Sequence, residues 1–432
     1  MNEVPTAHLR IWQQNLNKSL NSQLHLLHSA HPHDWDIILI QEPWMSPVTT
    51  RSSHHWNVLY PNAFRNDGSN SPRSLIFVNT NISSDTYTQL KFTSTDVSGL
   101  QIKMHNQTYV IINIYNDCNQ NDSIDAVSEF LDANFPDEHV PDNTHVILGG
   151  DFNRHHAWWE EARNSHLTSS ETLLQPLMDL ITRFDLRMAL PPILPTLEAL
   201  ASGNWTRPDN VWCSSHSSDL FIRCTTDPGL RGPNTDHVPI LSILDVPIPR
   251  IPKRQTRNFR NTDWAEFNSH LSLLLAHSPK PSIICTRKQF HPTLDLVSNS
   301  IKAMIEAIVP IANPIPSAKR WWNADLNALR KKKNRLAKLS HKWRGLPDHH
   351  AHADHRATSK EYSKLIDSTK KAHWDNWLSN AAERDLWTAN KYATDPPTDS
   401  GRSRIPALIF KEPDGTTRCR TRKYVTIRNL LH

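Results

Sequence analysis

Several features are missing from this chain of 432 residues. No apolar run approaches the ~18 residues a membrane-crossing helix requires, and no apolar core follows the first basic residue as in a secretory leader. Cysteine is scarce. Cys118, Cys213, Cys224, Cys285 and Cys419 are scattered, odd in number and never spaced as CxxC. That pattern argues against a zinc module and for a reducing compartment. The expectation is a soluble intracellular protein, cytoplasmic or nuclear, or part of a larger polyprotein-like product. The apolar fraction of 38% lies below the globular average, while 30 prolines lie above it. A core can be built, with part of the chain left as loop or exposed helix. The length suggests roughly two or three domains.

What is present is unevenly divided. Residues 1–245 hold 14 Lys+Arg and 27 Asp+Glu, a net −13; residues 246–432 hold 34 and 16, a net +18. Such asymmetry signals two modules, and a basic module commonly meets nucleic acid. For any single Lys/Arg run, a solvated helical face is the commoner meaning.

The stretch 146–156, VILGGDFNRHH, organises the front half. Its β-branched opening predicts a buried strand. Gly149 and Gly150 are expected to break that strand, so that the backbone turns tightly and comes close to another group. Asp151 and Asn153 then reach one side from the strand's C-terminal lip, where ligands collect in layered α/β proteins. The plain alternative is a Gly-Asp turn closed by an Asx hydrogen bond. Around this stretch, periodicity predicts strands over 8–17, 36–40, 75–78, 109–115, 206–213, 219–223 and 238–241. Helices are predicted over 19–30, from Ser123 to Asn134, and from Ser170 onward. Strands alternate with helices, but some β runs are adjacent, which suggests an α/β sandwich of mixed sheets.

Six strand ends each deliver a polar residue: Asn15, Glu42, Tyr115, Asp151 with Asn153, Asp209, and Asp236 with His237. Any one is incidental; the coincidence is the signal, because phosphodiester cleavage needs this set. A hard divalent cation takes oxygen ligands and keeps several waters, so two carboxylates and an amide suffice. A His held by an Asp accepts a proton from attacking water. Amide, phenol and imidazolium offset the excess negative charge of the transition state.

The order Asn15, Gln41-Glu42, Tyr115, Gly150-Asp151-Phe152-Asn153, Arg207-Pro208-Asp209 and Thr235-Asp236-His237 resembles the endonuclease/exonuclease/phosphatase superfamily over roughly residues 8–245. GGDFNRHHAWWE and TRPDNVW point within it to the endonuclease of LINE-type (non-LTR) retrotransposons. The resemblance implies a four-layered α/β sandwich, two mixed β-sheets flanked by helices, acting on DNA. It implies that Glu42 binds Mg2+, with Mn2+ as a substitute, helped by Asn15 and Asp236. Asp151 would handle the water or leaving-group proton, Asn153 orient the phosphate, and Tyr115 stabilise the transition state. His237, paired with Asp209, would be the base or the phosphate-polarising group; which of Asp151 and His237 deprotonates water stays open. Two positions depart from the family pattern. Thr235 stands where Ser is usual, and Cys118 where many relatives have Asn, with Asn116 or Asn119 as substitutes. A relic nucleic-acid binder and a phosphoesterase of small or lipid phosphates remain the alternatives.

Residues 246–258 read as a Pro-rich basic linker. Residues 259–394 read as a basic α-helical region, with Asp263 an N-cap and two long helices pairing antiparallel as in a coiled coil. This region is open to RNA as well as DNA. The pieces NFR, DWxxF and the basic helices resemble the linker ahead of a reverse transcriptase in such elements. No Asp-Asp pair exists in the chain, so a polymerase palm is not expected, and residues 395–432 read as a disordered or truncated tail. The histidines at 349, 350, 352 and 355 read as a solvated interhelical loop. Arg10, Arg51, Arg65, Arg154 and Arg207 are the candidates for a DNA-facing rim. No membrane partner is expected, and oligomeric state is left open.

Overall fold

The computed structural model describes residues 8–45, 50–53, 55–65, 71–104, 106–199, 202–250, 257–276, 283–284, 286–311, 321–380, 408–411 and 417–420. The front of the chain forms, in order, β1 (Leu9–Asn15), α1 (Leu20–Ser29), β2 (Ile37–Gln41), β3 (Trp56–Leu59), β4 (Ser74–Asn79), β5 (Tyr87–Leu90), β6 (Val97–Met104), β7 (Gln107–Tyr115), α2 (Asp122–Asn134), β8 (Thr144–Asp151), α3 (Glu171–Arg183), β9 (Leu186–Met188), β10 (Leu197–Glu198), β11 (Trp205–Thr206), β12 (Asp209–Ser214), β13 (Phe221–Thr226) and β14 (Ile240–Leu244). Two six-stranded sheets result, in the orders β13-β14-β1-β2-β4-β3 and β5-β6-β7-β8-β12-β9. Each has one parallel pair, β1 with β2 and β7 with β8, and is otherwise antiparallel.

Period-two alternation sorts the side chains into layers. Leu9, Ile11, Ile37 and Leu39 of the first sheet meet Ile111, Ile147, Val211 and Cys213 of the second in a core between the sheets. Trp12, Ile38, Ile40, Leu75 and Phe77 face the other way, onto Leu26 and Leu27 of α1. Val110, Ile112, Ile114, Val146 and Leu148 likewise cover α2 and α3 through Val127, Leu131, Leu177 and Leu180. Helix, sheet, sheet and helix are the four expected layers. Each fully buried Ile or Leu contributes about 1.5–3 kcal/mol, so the alternation is energetically decisive.

Toward one end the inter-sheet face turns polar. Along β1, Leu9 and Ile11 give way to Gln13 and Asn15; along β2, Ile37 and Leu39 to Gln41; along β7, Ile111 to Asn113 and Tyr115; along β8, Ile147 to Asp151. β12 runs the other way and begins with Asp209. Buried amides join the sheets below this end. Gln41 Nε2 donates to Asn113 Oδ1, and Asn113 Nδ2 donates to the carbonyls of Ile40 and Leu75, both at 2.9 Å.

Gly149 and Gly150 do not break β8, which runs on through Asp151. Gly150 is required by close approach: a Cβ there would lie 2.0 Å from the Ile114 carbonyl oxygen on β7. The turn comes later, at Asn153, whose φ is 49°. Ser123 is not the cap of α2; Asn121 holds that position, and the Ser123 hydroxyl donates to the Tyr115 carbonyl at 2.7 Å. β13 starts only at Phe221, after a 3-10 segment, and β14 only after Pro239, which has no N–H for a ladder.

The chain divides into two compact units, Met1–Arg250 with Lys319–His432, and Ile251–Ala318. The second unit contains α4 (Trp264–Ala276) and α5 (Arg287–Ile308). Asp263 caps α4, its Oδ1 accepting from the N–H groups of Ala265 and Glu266 at 3.0 Å. α5 lies within the stretch expected to be helical and holds Pro292 inside it, where the missing N–H leaves one helical hydrogen bond unmade.

The first unit also holds α6 (Ala324–Lys342) and α7 (His350–Ser379). They run antiparallel: Leu326 packs with Tyr362 and Ile366 at one end, and Ser340 Oγ meets His352 Nδ1 at 2.7 Å at the other. Both rest on Leu24 of α1. The histidine cluster is not a solvated loop. His349 caps α7, while His352 and His355 are buried on it. The expected disordered tail lies outside the described residues, apart from a ladder of Leu408–Lys411 with Thr417–Arg420. Among the described residues, no helix is long and apolar enough to cross a membrane.

Candidate active site

The polar end of the inter-sheet core gathers the residues that the sequence scatters. Sheet register sets the first contacts. Asp151 lies beside Tyr115 in the parallel pair and opposite Asp209 in the antiparallel one. Asn15 ends β1 in register with Gln41, and Glu42 follows directly. Asn15 Nδ2 crosses between the sheets and donates to Asp151 Oδ2 at 2.8 Å. Asp151 Oδ1 accepts from the Asn153 N–H at 3.1 Å.

His237 closes the group. Its Nδ1 is 2.8 Å from Asp209 Oδ2, a hydrogen bond between two buried groups. Its Nε2 lies 3.8 Å from both Asp151 Oδ2 and Asp236 Oδ1, too long for a hydrogen bond and near enough for strong charge interaction. Gln13 Nε2 reaches Asp209 Oδ1 at 3.5 Å, and Gln14 Nε2 donates to the His237 carbonyl at 3.1 Å. Thr235 keeps the role a Ser hydroxyl could fill: its Oγ1 donates to the Asn15 carbonyl at 2.9 Å and accepts from the His237 N–H at 3.3 Å.

Electrostatics follow from burial and from these neighbours. Burial raises the Asp151 carboxyl well above the ordinary range, Asp209's charge adds to this, and His237 with the Asn15 amide opposes it. Burial disfavours the His237 imidazolium, but Asp209, Asp151 and Asp236 together outweigh it and raise the imidazole's pKa. Tyr115 stays a phenol, raised first by burial and then by Glu42 and Asp151. Arg73 lies 4.7 Å over its ring, anchored at 2.8 Å to both Asp96 and Asp117. No local motif marks Arg73, whose relation to Tyr115 exists only in the fold.

Two site residues hold left-handed backbone. Glu42 has φ 46° and Asn153 has φ 49°. Asn tolerates this region; Glu does not readily, and Pro43 behind it adds restriction. Strain of this kind collects at functional sites. Glu42 is partly buried, with Lys18 Nζ at 3.3 Å from its Oε1. The Asn153 amide donates to the Asn116 carbonyl at 2.7 Å. Of the two substitutes for the missing family Asn, Asn116 lies at the site and Asn119 is exposed. The Asn116 N–H donates to the Asp151 carbonyl at 2.8 Å, and its Oδ1 is buried with no hydrogen-bond partner among the described residues.

Asp151, Asp209 and His237 each present an atom within 4.8 Å of the others, a group able to hold a metal ion. The 2.8 Å Asp209–His237 hydrogen bond favours a proton-handling role for that pair. The chemistry nearby suits a hard cation better. Asp236 Oδ1 is buried with no hydrogen-bond partner among the described residues, an oxygen of the kind a hard cation takes. The residues therefore fit a divalent cation.

Three candidates for a basic rim are not there. Arg154 is fully buried and donates to the carbonyls of Leu173, Asp117 and Gln120, knitting the loop behind β8. Arg207 is buried on Leu190 and Asn210, and Arg10 is paired with Asp36.

Residues 109–241 match a family model described as endonuclease-reverse transcriptase. No curated protein matches the sequence. Among solved structures, the endonuclease domain of TRAS1, a telomere-specific non-LTR retrotransposon, is similar at 18% identity over 55% of this chain and 99% of that one, with a TM-score of 0.43. The AP endonuclease LMAP from Leishmania major is 12% identical over 58% of this chain and 90% of that one, with a TM-score of 0.43. An AP endonuclease from Archaeoglobus fulgidus is 14% identical over 55% of this chain and 100% of that one, with a TM-score of 0.40.

Proposed function

We propose that this chain, of the endonuclease/exonuclease/phosphatase superfamily over residues 109–241, is a metal-dependent endonuclease that nicks DNA at a retroelement's target site. The observation that carries this reading is the buried line Asp209–His237–Asp151, with Asn15 closing it from the opposite sheet. Each group has a task in phosphodiester hydrolysis. Asp209 takes the His237 Nδ1 proton as a hydrogen bond, which fixes the ring and turns Nε2 toward the cleft. His237, held protonated by three carboxylates, pairs with a non-bridging phosphate oxygen. Asp151, with its raised pKa, exchanges a proton with water or leaving oxygen near neutral pH. Tyr115, kept as a phenol, donates to the phosphate as its charge grows, and Asn153 with Asn116 orients the phosphate.

Glu42, Asp236 and Asn15 would hold Mg2+, or Mn2+, which when bound neutralises phosphate charge and polarises the scissile bond. In this reading residues 8–245 carry the chemistry, 246–258 link, and 259–394 contribute contacts to nucleic acid.

The test is conversion of supercoiled plasmid to open circle by the full chain. The expected result is nicking with Mg2+, none in EDTA, and a rate ~10²–10⁴ lower with Asp151→Asn. Hydrolysis of inositol phosphates without any nicking would move the activity to small phosphates.

A further inference from the structure

A nuclease must meet the charge of its substrate's phosphates, and the acidic module has little free charge to do so. Most of its cations are committed internally. Arg10 and Arg250 hold Asp36, Arg73 holds Asp96 and Asp117, Arg183 holds Asp132 and Glu138, Arg231 holds Glu198, and Lys18 sits on Glu42. Arg154 and Arg207 are buried among carbonyls.

α6 has the opposite character. Lys331, Arg335, Lys338 and Lys342 fall at i, i+4, i+7 and i+11, one helical face, and all four are exposed. Lys338 is 3.2 Å from Asp227; among the described residues no carboxylate lies within ion-pair distance of the other three. The stripe is about 17 Å long, the axial rise of about five base pairs.

The buried face of α6 fixes this stripe to the segment that carries Arg231, Asp236 and His237. Leu326, Lys333, Ala337 and Ser340 point inward. Lys333 Nζ donates to the Arg231 carbonyl, and the Arg231 guanidinium donates to the Asp236 carbonyl at 3.4 Å, next to His237. Farther along, His341 stacks edge-on to Trp205 at 5.0 Å and Arg344 pairs with Glu161 at 2.7 Å. The stripe therefore keeps a constant position relative to the residues that cut.

We infer that the exposed face of α6 is a phosphate track for the duplex DNA that the site cleaves; this rests on the nuclease reading. The track is part of the catalytic unit, and it supplies the positive charge that the α/β module lacks.

The experiment measures binding of the full chain to a labelled DNA duplex across a salt series in EDTA, where binding is read without cleavage. Lys331→Glu/Arg335→Glu/Lys342→Glu should weaken binding roughly tenfold or more at low salt and flatten the log Kd against log salt slope by about 2.7. Lys91→Glu/Lys103→Glu/Arg223→Glu makes the same charge change at exposed positions on other elements and should shift Kd less than about threefold. Equal losses in the two triples, or none in either, would overturn the track. So would tighter binding of an RNA duplex with the same dependence on α6. A full chain that binds with this dependence yet never nicks with Mg2+ would sustain the track and sink the nuclease reading.

Discussion

His237 and His355 are buried to similar depth, 6% and 4% exposed, in the same compact unit, yet their proton affinities move in opposite directions. Burial pushes both toward the neutral form. Around His237 the companions are Asp209, Asp151 and Asp236, and they reverse that push. Around His355 they are Arg231, Lys333 and Arg356, which reinforce it and hold the ring down to about 2. One guanidinium bridges the two settings. Arg231 donates to the Asp236 carbonyl on one side and approaches His355 Nδ1 at 3.2 Å on the other, with Glu198 as its counter-ion. The difference teaches that depth alone does not assign a charge state. The sign of the neighbours does, and it separates a histidine that keeps its proton from one that loses it.

The sharpest way to break this comparison is to remove each ring. His237→Ala or Asp151→Asn should lower the nicking rate by ~10²–10⁴, the usual worth of a positioned proton-transfer group, while His355→Gln should leave the rate within about threefold. Similar losses from both histidines would erase the distinction. Next in size is Glu198→Gln, which strips from the buried Arg231 guanidinium the one carboxylate paired with it among the described residues. Breaking such a pair costs about 3–5 kcal/mol, read as a lower urea midpoint with an unchanged m-value.

The pH dependence gives a third separation. Because Asp151 titrates well above an ordinary carboxyl, nicking should fall as pH drops through that raised value rather than near 4, and Asp209→Asn should move the limb to lower pH by removing a like charge. In proton NMR, His237 should keep its proton above the ordinary imidazole value of about 6.5, and Asp209→Asn should bring its midpoint down.

The smallest effect is on stability. His355 is depressed in the folded chain, so its contribution is present above the unfolded value of about 6.5 and is lost as pH falls below it, by about 1.4 kcal/mol per unit. His355→Gln should flatten the acid side of the urea-stability profile by that amount. An unchanged slope would place the proton elsewhere.

The strand placement of several candidate residues is legible in the sequence. Asn15, Tyr115, Asp151 and Asp209 each belong to a strand whose alternation can be read, and each shares the parity of its apolar inward neighbours. The same reading failed where a residue's partner is remote. Arg154 and Arg207 look like surface arginines in a polar motif, and only the fold shows carbonyls closing around their guanidinium groups. Gly150 looks like a strand breaker in sequence, because its close approach to Ile114 does not show in its immediate neighbours.

Apolar periodicity in the chain by itself determined the layers, the strand that presents Asp151 and the clustering of basic charge toward the C-terminus, since all three depend on residues near one another along the backbone. Tertiary structure alone decided that Asn15 would reach Asp151, that Arg231 would join the Asp236 carbonyl to His355, and that α6 would lie against the loop ahead of His237. These contacts link positions tens to hundreds of residues apart, and no local propensity encodes them; they follow from how the sheets stack and which helical face finds an apolar surface to cover.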